Sequence, residues 1–386
     1  QVMASMNIDT VDVYPRVSEH IEDIVAAIQK LIDQEYAYAV DGDVYFDVKQ
    51  FPAYGKLSRR TVDELEAGKR IEIDERKKSP ADFALWKGAK PDEPSWPSPW
   101  GPGRPGWHIE CSVMSIKHLG YPVDLHGGGL DLLFPHHENE IAQAEAFQGE
   151  GPFVRYWLHT GLLQMHTEKM SKSLGNFVRA RDLIDRYGPQ IVRLYILWHH
   201  YRSPREFSDE RMEEARTAWQ RLNNTVTVIR GHLAHHELPA GARSIDSDLA
   251  AALQSAREAF DAAMRDDLNT AQAVAALFDL VRQVNGYMHG VEPGMDLDNG
   301  GLQQILDFFE ERGSMLGILP ADESDSSADE TELTEKLIAL CIELRETARQ
   351  ERDWDLADRI RDGLSELGIT VEDTARGPRV RRERAG

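Results

Sequence analysis

The stretch that decides the fold reads Pro-Val-Asp-Leu-His-Gly-Gly-Gly-Leu-Asp-Leu-Leu-Phe-Pro-His-His-Glu-Asn-Glu, residues 122–140. Residues 122–126 predict a short strand that runs into a glycine-rich turn at 127–129. A helix is predicted to begin near Pro135, because proline is favoured at the first helical position. A strand, a glycine-rich turn and a helix in this order are typical of an α/β nucleotide-binding fold.

The chain around this stretch is long and acidic. Its 386 residues are enough for two or three domains, each with its own core. A net charge of −22 argues against a generally basic coat that binds nucleic acid without specificity. Residues 376–386 differ, since they hold five arginines and one glutamate. This basic tip suits a partner that is gripped locally, and a frayed tail is the alternative interpretation.

The cysteine content indicates the compartment. Cys111 and Cys341 lie far apart in sequence, so a disulfide is not expected and a reducing cytoplasm is the predicted location. The chain has no signal peptide and no apolar run of the roughly 18–20 residues that cross a bilayer. We therefore expect a cytoplasmic monomer without a membrane partner.

Upstream of the glycines, the pattern predicts mixed structure within a first domain, residues 1–205. Apolar residues over 21–32 fall on one helical face. Residues 36–48 predict a β-hairpin with its turn at Asp41-Gly42, because glycine supplies the positive φ that tight turns need. Residues 80–105 carry seven prolines and three tryptophans, which predicts an ordered loop packed on aromatic rings.

After residue 205 the pattern becomes helical. Apolar residues alternate steps of three and four along several segments of 206–319, which predicts a helical bundle. Residues 320–335 hold seven acidic residues and no basic one, so they are predicted to be a flexible linker. A small final module, 336–386, follows with helices predicted over 337–344 and 356–367.

Three residues of types that bind zinc lie within the fold-deciding stretch or shortly before it. His136 and Glu140 are four residues apart, so on a helix from Pro135 both would point from one face. With the thiolate of Cys111 they form a three-ligand zinc set that leaves one position open for chemistry. His137 and Glu138 are rival ligands, predicted to face elsewhere. A buried free cysteine near a helix-capping histidine is the alternative.

Other residues suit a nucleotide. Gly127, Gly128 and Gly129 would let a planar base approach the backbone, and the carboxylate of Asp131 would accept ribose hydroxyls. Trp107 is either the wall of a small pocket or a core residue. Lys169-Met-Ser-Lys172-Ser173 puts two lysines on a predicted loop, where they would neutralise a polyphosphate; a solvated basic turn is the alternative.

Several long motifs in order resemble one family, the cysteinyl-tRNA synthetases of class I. They are Gly-Trp-His-Ile-Glu-Cys-Ser at 106–112, His-Gly-Gly-Gly-x-Asp at 126–131, Phe-Pro-His-His-Glu-Asn-Glu at 134–140, Lys-Met-Ser-Lys-Ser at 169–173 and Asp-Asp-Leu-Asn-Thr at 266–270. The resemblance implies a Rossmann-like class I catalytic domain, an α-helical anticodon-side bundle that binds tRNA, and a C-terminal module that reads the anticodon.

By this resemblance, Cys111, His136 and Glu140 would hold one zinc ion that captures the substrate cysteine as a thiolate, with Trp107 near it. Gly127–Gly129 and Asp131 would seat adenosine, and Lys172 with Lys169 would contact the phosphates of ATP, accompanied by Mg²⁺. Arg376, Arg379, Arg381 and Arg382 would contact tRNA(Cys), although Val380 stands where the family often has an aromatic residue.

The resemblance also implies segments that precede Gln1: the first strand, a further cysteine ligand and a His-Ile-Gly-His motif. We therefore expect the 386-residue chain by itself not to aminoacylate tRNA. Two rival functions remain. One is a related ligase of mycothiol biosynthesis, which joins cysteine to an amino sugar and needs no anticodon module. The other is a non-catalytic fragment that binds tRNA.

Overall fold

A computed structural model describes most of the chain in two compact units, residues 1–318 and 319–386. The described residues are 2–8, 10–61, 75–149, 151–165, 168–169, 178–234, 246–290, 297–319, 327–350, 353–366, 369–374 and 377–382. Among them, no helix combines the length and apolarity needed to cross a bilayer.

Among the described residues of the larger unit, helices and strands alternate in the first two thirds, and helices alone follow. The helices of this unit are α1 Val2–Ser5, α2 Ile21–Asp33, α3 Trp107–Leu119, α4 Glu138–Gln148, α5 Ala180–Tyr187, α6 Pro189–Leu197, α7 Asp209–Ala234, α8 Ser247–Arg265, α9 Thr270–Gly290 and α10 Asn299–Leu316. Its strands are β1 Ala37–Val40, β2 Asp43–Phe46, β3 Phe83–Gly88, β4 Gly103–Pro105, β5 Val123–Gly129, β6 Val154–Thr160, β7 Leu163–Met165, β8 Glu168–Lys169 and β9 Arg205–Phe207.

Strands β1 to β4 form an antiparallel sheet in chain order. The predicted hairpin is confirmed, since Val40 pairs with Asp43 and both turn residues have positive φ, 50° at Asp41 and 84° at Gly42. Residues 80–105, predicted as a loop, contain β3 and β4. The aromatic packing expected there is present, because the Trp86 side chain is fully buried and lies edge-on to Trp100.

Strand β5, which lies in the fold-deciding stretch, pairs in parallel with β6. One detail of the prediction for this stretch is wrong. Gly127–Gly129 are the last residues of β5, paired with Leu158–Thr160, rather than a turn after the strand. The reversal comes later, in a 3-10 turn at Leu130–Leu132 and a π-helical turn at Leu133–His137. Because glycine has no Cβ, it suits a strand position against which another side chain packs closely, as described below for Gly128.

Helices α7 to α10 confirm the predicted helical bundle. The apolar positions that set the periodicity are buried, including Leu222, Phe260 and Leu277. The bundle and the α/β part are continuous, because Phe207 of β9 and Tyr195 of α6 share a buried cluster with Met212 of α7.

Helix α8 depends on a side-chain cap. The Asp246 carboxylate accepts hydrogen bonds from the backbone N–H groups of Asp248 and Leu249, at 2.9 and 3.4 Å. We expect Asp246→Ala to lower the free energy of unfolding by about 1 kcal/mol, because the cap is lost. Asp246→Asn keeps an accepting oxygen and should cost less than half as much, as measured by urea denaturation. Equal losses in the two variants would contradict this role.

The smaller unit contains α11 Ser327–Gln350, α12 Trp354–Glu366 and an antiparallel hairpin of β10 Ile369–Thr374 and β11 Gly377–Arg382. Residues 327–335, predicted to be part of a flexible linker, belong to α11. Acidic residues are favourable near a helix N-terminus, so an acidic composition does not by itself prevent helix formation. The rest of the predicted linker, 320–326, lies outside the described residues.

Candidate functional site

The α/β part brings several histidines and acids together around the carboxyl end of β5. Helix α3 contributes Trp107, His108 and Cys111, and its start is fixed by Gly106. The Gly106 N–H donates to the Leu85 carbonyl at 2.7 Å, and a Cβ at Gly106 would collide with the Ala84 carbonyl. Strand β3 therefore sets where α3 begins.

Among the described residues, the one group of three side chains arranged to hold a metal ion is His126, His137 and Glu140. One ligand atom from each lies within 4.8 Å of the others. Nε2 of His126 is 3.4 Å from Oε2 of Glu140, and this buried oxygen has no hydrogen-bond partner. A buried polar oxygen without a partner is costly, so the site suits a cation.

Burial disfavours the charged forms of the groups in this cluster. It raises the pKa of Glu140 to about 8. Burial and the neighbouring histidines lower the pKa of His137 to about 3, and burial lowers that of His126. Two neutral imidazoles and a carboxyl that a cation would ionise match the ligands of zinc. The residues present therefore fit this metal.

The predicted ligands are placed differently from the sequence expectation. Cys111 is not in that three-residue group, although its neighbour Ser112 donates a hydrogen bond to the Glu140 carbonyl at 3.4 Å. Burial raises the pKa of the Cys111 thiol to about 12. His136 is not gathered with Glu140 either; its Nδ1 lies 2.9 Å from Nε2 of His108. The described residues thus gather His137 rather than His136 with Glu140, and the role of His136 as a metal ligand stays a prediction.

The reason lies in the backbone before α4. The expected spacing assumed a regular α-helix from Pro135, but Leu133–His137 form a π-helical turn with a non-helical Phe134, φ −139° and ψ 133°. The kink at Phe134 sets how residues 135–140 are presented to β5 and β6, which the spacing between His136 and Glu140 does not reveal. Helix α4 itself begins only at Glu138.

His137 is held from several sides. Its Nδ1 lies 2.9 Å from Nε2 of His159 at the end of β6. A Cβ on Gly128 would lie 2.7 Å from Cε1 of His137, so glycine at 128 is needed for the ring to pack on the strand. Burial lowers the pKa of His159, and the charge of Arg202 lowers it further.

The sequence reasoning missed His126 and His159. No strand is predicted around His159. His126 is the last residue of the predicted strand 122–126, and ligands commonly bind at the carboxyl ends of the strands of a parallel sheet. That position was the available signal.

Glu138 faces away from the cluster, as predicted for this rival ligand, and has a structural role. It is fully buried, and its carboxylate accepts hydrogen bonds from the N–H groups of Gly55 at 2.9 Å and Ser58 at 2.7 Å. The loop at 54–58 is thereby attached to the start of α4.

The residues predicted to bind nucleotide and substrate lie near the cluster. Asp131 is exposed just after β5, and a Cβ on Gly129 would lie 2.5 Å from its Oδ1. Trp107 is 67% exposed and lies edge-on to His136, with ring centroids 5.0 Å apart. It is therefore not a core residue, and its role as the wall of a pocket stays a prediction.

The basic motifs are only partly covered by the description. Lys169 ends β8, which pairs with β7, while Lys172 lies outside the described residues. Arg379, Arg381 and Arg382 lie on β11, and Arg376 lies outside the described residues. Their contacts with ATP or tRNA stay predictions.

Three families match the chain. Residues 1–217 match "tRNA synthetases class I (C) catalytic domain", residues 259–320 match "DALR domain" and residues 341–381 match "Cysteinyl-tRNA ligase anticodon binding domain". The predicted order of a class I catalytic domain, a helical bundle and a small C-terminal module is confirmed. The proposed borders at 205, 319 and 335 stay predictions.

Individual relatives agree with these matches. The cysteine–tRNA ligase of Pelotomaculum thermopropionicum is 47% identical over 98% of this chain and 79% of its own length. That of Moorella thermoacetica is 49% identical, with the same coverage. The methionyl-tRNA synthetase of Mycobacterium tuberculosis, in complex with methionyl-adenylate, shares the fold, with a TM-score of 0.53, 16% identity and coverage of 79% of this chain and 73% of that one.

Proposed function

The chain belongs to the cysteine–tRNA ligase family of aminoacyl-tRNA synthetases, and on that premise we propose that it provides the catalytic and tRNA-binding parts of an enzyme that charges tRNA(Cys). L-cysteine would react with ATP to give cysteinyl-adenylate and pyrophosphate. The 3′-terminal ribose of the tRNA would then accept the cysteinyl group. The observation that carries the proposal for the site is the buried, unpartnered Oε2 of Glu140 in a histidine cluster.

We infer that this cluster is where zinc binds. Glu140 is common to the set expected from the sequence, Cys111 with His136, and to the set gathered in the structure, His126 with His137. When bound, zinc supplies a soft Lewis acid that prefers a thiolate to a hydroxyl, and so discriminates cysteine from serine. An apolar pocket alone achieves only about 1–3 kcal/mol for such a small difference.

Residues around the metal cluster would orient the other substrates. Trp107, exposed beside His136, would form a wall for the cysteine side chain. The end of β5 and Asp131 would take the adenosine, and Lys169 with Lys172 would neutralise the phosphates of a Mg²⁺–ATP complex. Positioning and charge neutralisation are the main needs of such a reaction, since the carboxylate of cysteine is itself the nucleophile.

The helical part and the C-terminal module would bind tRNA. Their matches to a DALR domain and to an anticodon binding domain support this assignment. Arginines of the basic tip would contact the anticodon region, because single-stranded loops expose phosphates and base edges to side chains. We further propose that the enzyme works in the cytoplasm as a monomer.

The test is cysteine-dependent ATP–pyrophosphate exchange and charging of tRNA(Cys) by the full-length protein. We expect both activities with cysteine, and exchange with serine at least about 100-fold weaker, because serine cannot supply a thiolate to the metal. Transfer of labelled cysteine to an amino sugar instead of tRNA would contradict the proposal. Binding of tRNA(Cys) without pyrophosphate exchange would contradict it too, since a non-catalytic tRNA-binding protein would behave that way.

A further inference from the structure

One contact between the α/β part and the helical bundle is built from an exposed ionic cluster. Asp267, in the connection between α8 and α9, receives a hydrogen bond from the Tyr201 hydroxyl at 2.7 Å and an ion pair from Arg202 Nε at 2.9 Å. A second Arg202 nitrogen lies 3.2 Å from the same carboxylate, and His200 Nε2 lies 3.7 Å from it. We call Tyr201, Arg202 and Asp267 the interdomain clamp.

The bundle side of this clamp has an unusual backbone. Asp267 and Leu268 are consecutive non-glycine residues with positive φ, 54° and 53°. Leucine rarely adopts this conformation, and residues held in it occur where the surrounding structure has a functional reason to fix them. The conformation directs the Asp267 carboxylate at Arg202, while Leu268 remains 45% exposed.

The α/β side of the clamp is connected through paired strands to Lys169, the first residue of the Lys-Met-Ser-Lys-Ser motif. The Tyr201 carbonyl accepts a hydrogen bond from the Gly161 N–H at 2.7 Å, and a Cβ on Gly161 would collide with the Ser203 carbonyl. After this close approach the chain enters β9, in which Arg205 pairs with Leu163 of β7. The other neighbour of strand β7 is β8, which ends at Lys169.

The energetics argue for a positioning role. The Arg202 and Asp267 side chains are 63% and 40% exposed, and exposed ion pairs add little to folding stability. A charged carboxylate that accepts hydrogen bonds from several donors is nevertheless held in one orientation. The contact therefore fixes the angle between the elements that it joins. Resting on the proposed function, we infer that Asp267 is a positioning residue: it orients the tRNA-binding bundle relative to the Lys169 strand so that a bound tRNA delivers its 3′ end to the reacting site.

The experiment compares Asp267→Asn with Asp279→Asn in the full-length enzyme. Asp279 makes an exposed ion pair with Arg282 on α9 at 2.8 Å and serves as the matched control. For Asp267→Asn we expect KM for tRNA(Cys) to rise about tenfold while cysteine-dependent pyrophosphate exchange stays within about twofold of the unmodified enzyme. Asp267→Glu should recover part of the loss, and the control should change neither activity.

Two further variants make the test specific to the clamp. Arg202→Gln combined with Asp267→Asn should be no worse than either single variant, because both remove the same contact. A parallel loss of exchange and charging would show a general folding defect and overturn the inference, as would charging by Asp267→Asn at the unmodified rate. A defect in Arg202→Gln without one in Asp267→Asn would also overturn it, since Arg202 would then act by contacting RNA directly. If the unmodified enzyme showed no exchange, the proposed function itself would fail.

Discussion

A Glu140→Gln variant is expected to lose zinc without losing stability in its metal-free form. Glutamine has nearly the same shape but no charge, so it cannot replace a carboxylate as a zinc ligand, and the affinity should fall by at least about 100-fold. In the metal-free protein the carboxylate is buried with one oxygen lacking a partner. Since the raised pKa keeps this group mostly protonated at neutral pH, replacing it by a neutral amide should leave the free energy of unfolding unchanged there and higher above pH 8.

The sign of the pH dependence provides a second readout. The pKa of Glu140 is raised from 4.5 to about 8 by burial, so the folded metal-free protein keeps a proton that the unfolded chain has lost. This group therefore favours the folded state at low pH, and its contribution is lost as the pH rises from 4.5 through 8. Glu140→Gln should remove that part of the slope.

The measurements are zinc content by elemental analysis and thermal unfolding with and without added zinc. Glu258→Gln, on an exposed face of α8, is the control and should keep both the zinc and the zinc-dependent rise in Tm. His136→Ala and His137→Ala then identify the histidine ligand, because only the true ligand should match Glu140→Gln in zinc loss. Full zinc content in Glu140→Gln would contradict the site.

A Glu138→Gln variant should instead destabilise the protein strongly. The Glu138 carboxylate is fully buried and accepts hydrogen bonds from Gly55 and Ser58. A glutamine offers one accepting oxygen, and its amide N–H group would face a donor. We expect a loss of about 3 kcal/mol in the free energy of unfolding, because a buried N–H is left without a partner and a charge-assisted bond is lost.

Urea denaturation of the metal-free protein measures this effect. Glu145→Gln on the same helix is the matched control, since its carboxylate pairs with the half-exposed Lys56 and glutamine can still accept from the Phe153 N–H. That control should cost about 1 kcal/mol or less. Hydrogen exchange at Gly55 and Ser58 should accelerate only in Glu138→Gln. Similar losses in the two variants would show that Glu138 has no special role in holding the 54–58 loop.

Local patterns predicted the regular elements well. The turn at Asp41-Gly42 followed from the φ that glycine allows, and the bundle helices followed from apolar spacing, because both depend on residues close in sequence. The prediction differed from the structure in two segments whose composition is compatible with more than one kind of backbone. The acidic segment from Ser327 is helical rather than a flexible linker. Gly127–Gly129 are the end of β5, which pairs with β6, rather than a turn.

The sequence by itself determined the family, the order of the parts and the presence of metal-binding residue types around 111–140, because these are carried by residue identity and spacing. Only the tertiary structure decided which side chains meet. The cluster gathers His126 and His137 with Glu140, and the pairing of β5 with β6 places His159 beside His137. The physical reason is that these contacts join residues on different strands and helices, and their relative placement is not encoded in local spacing.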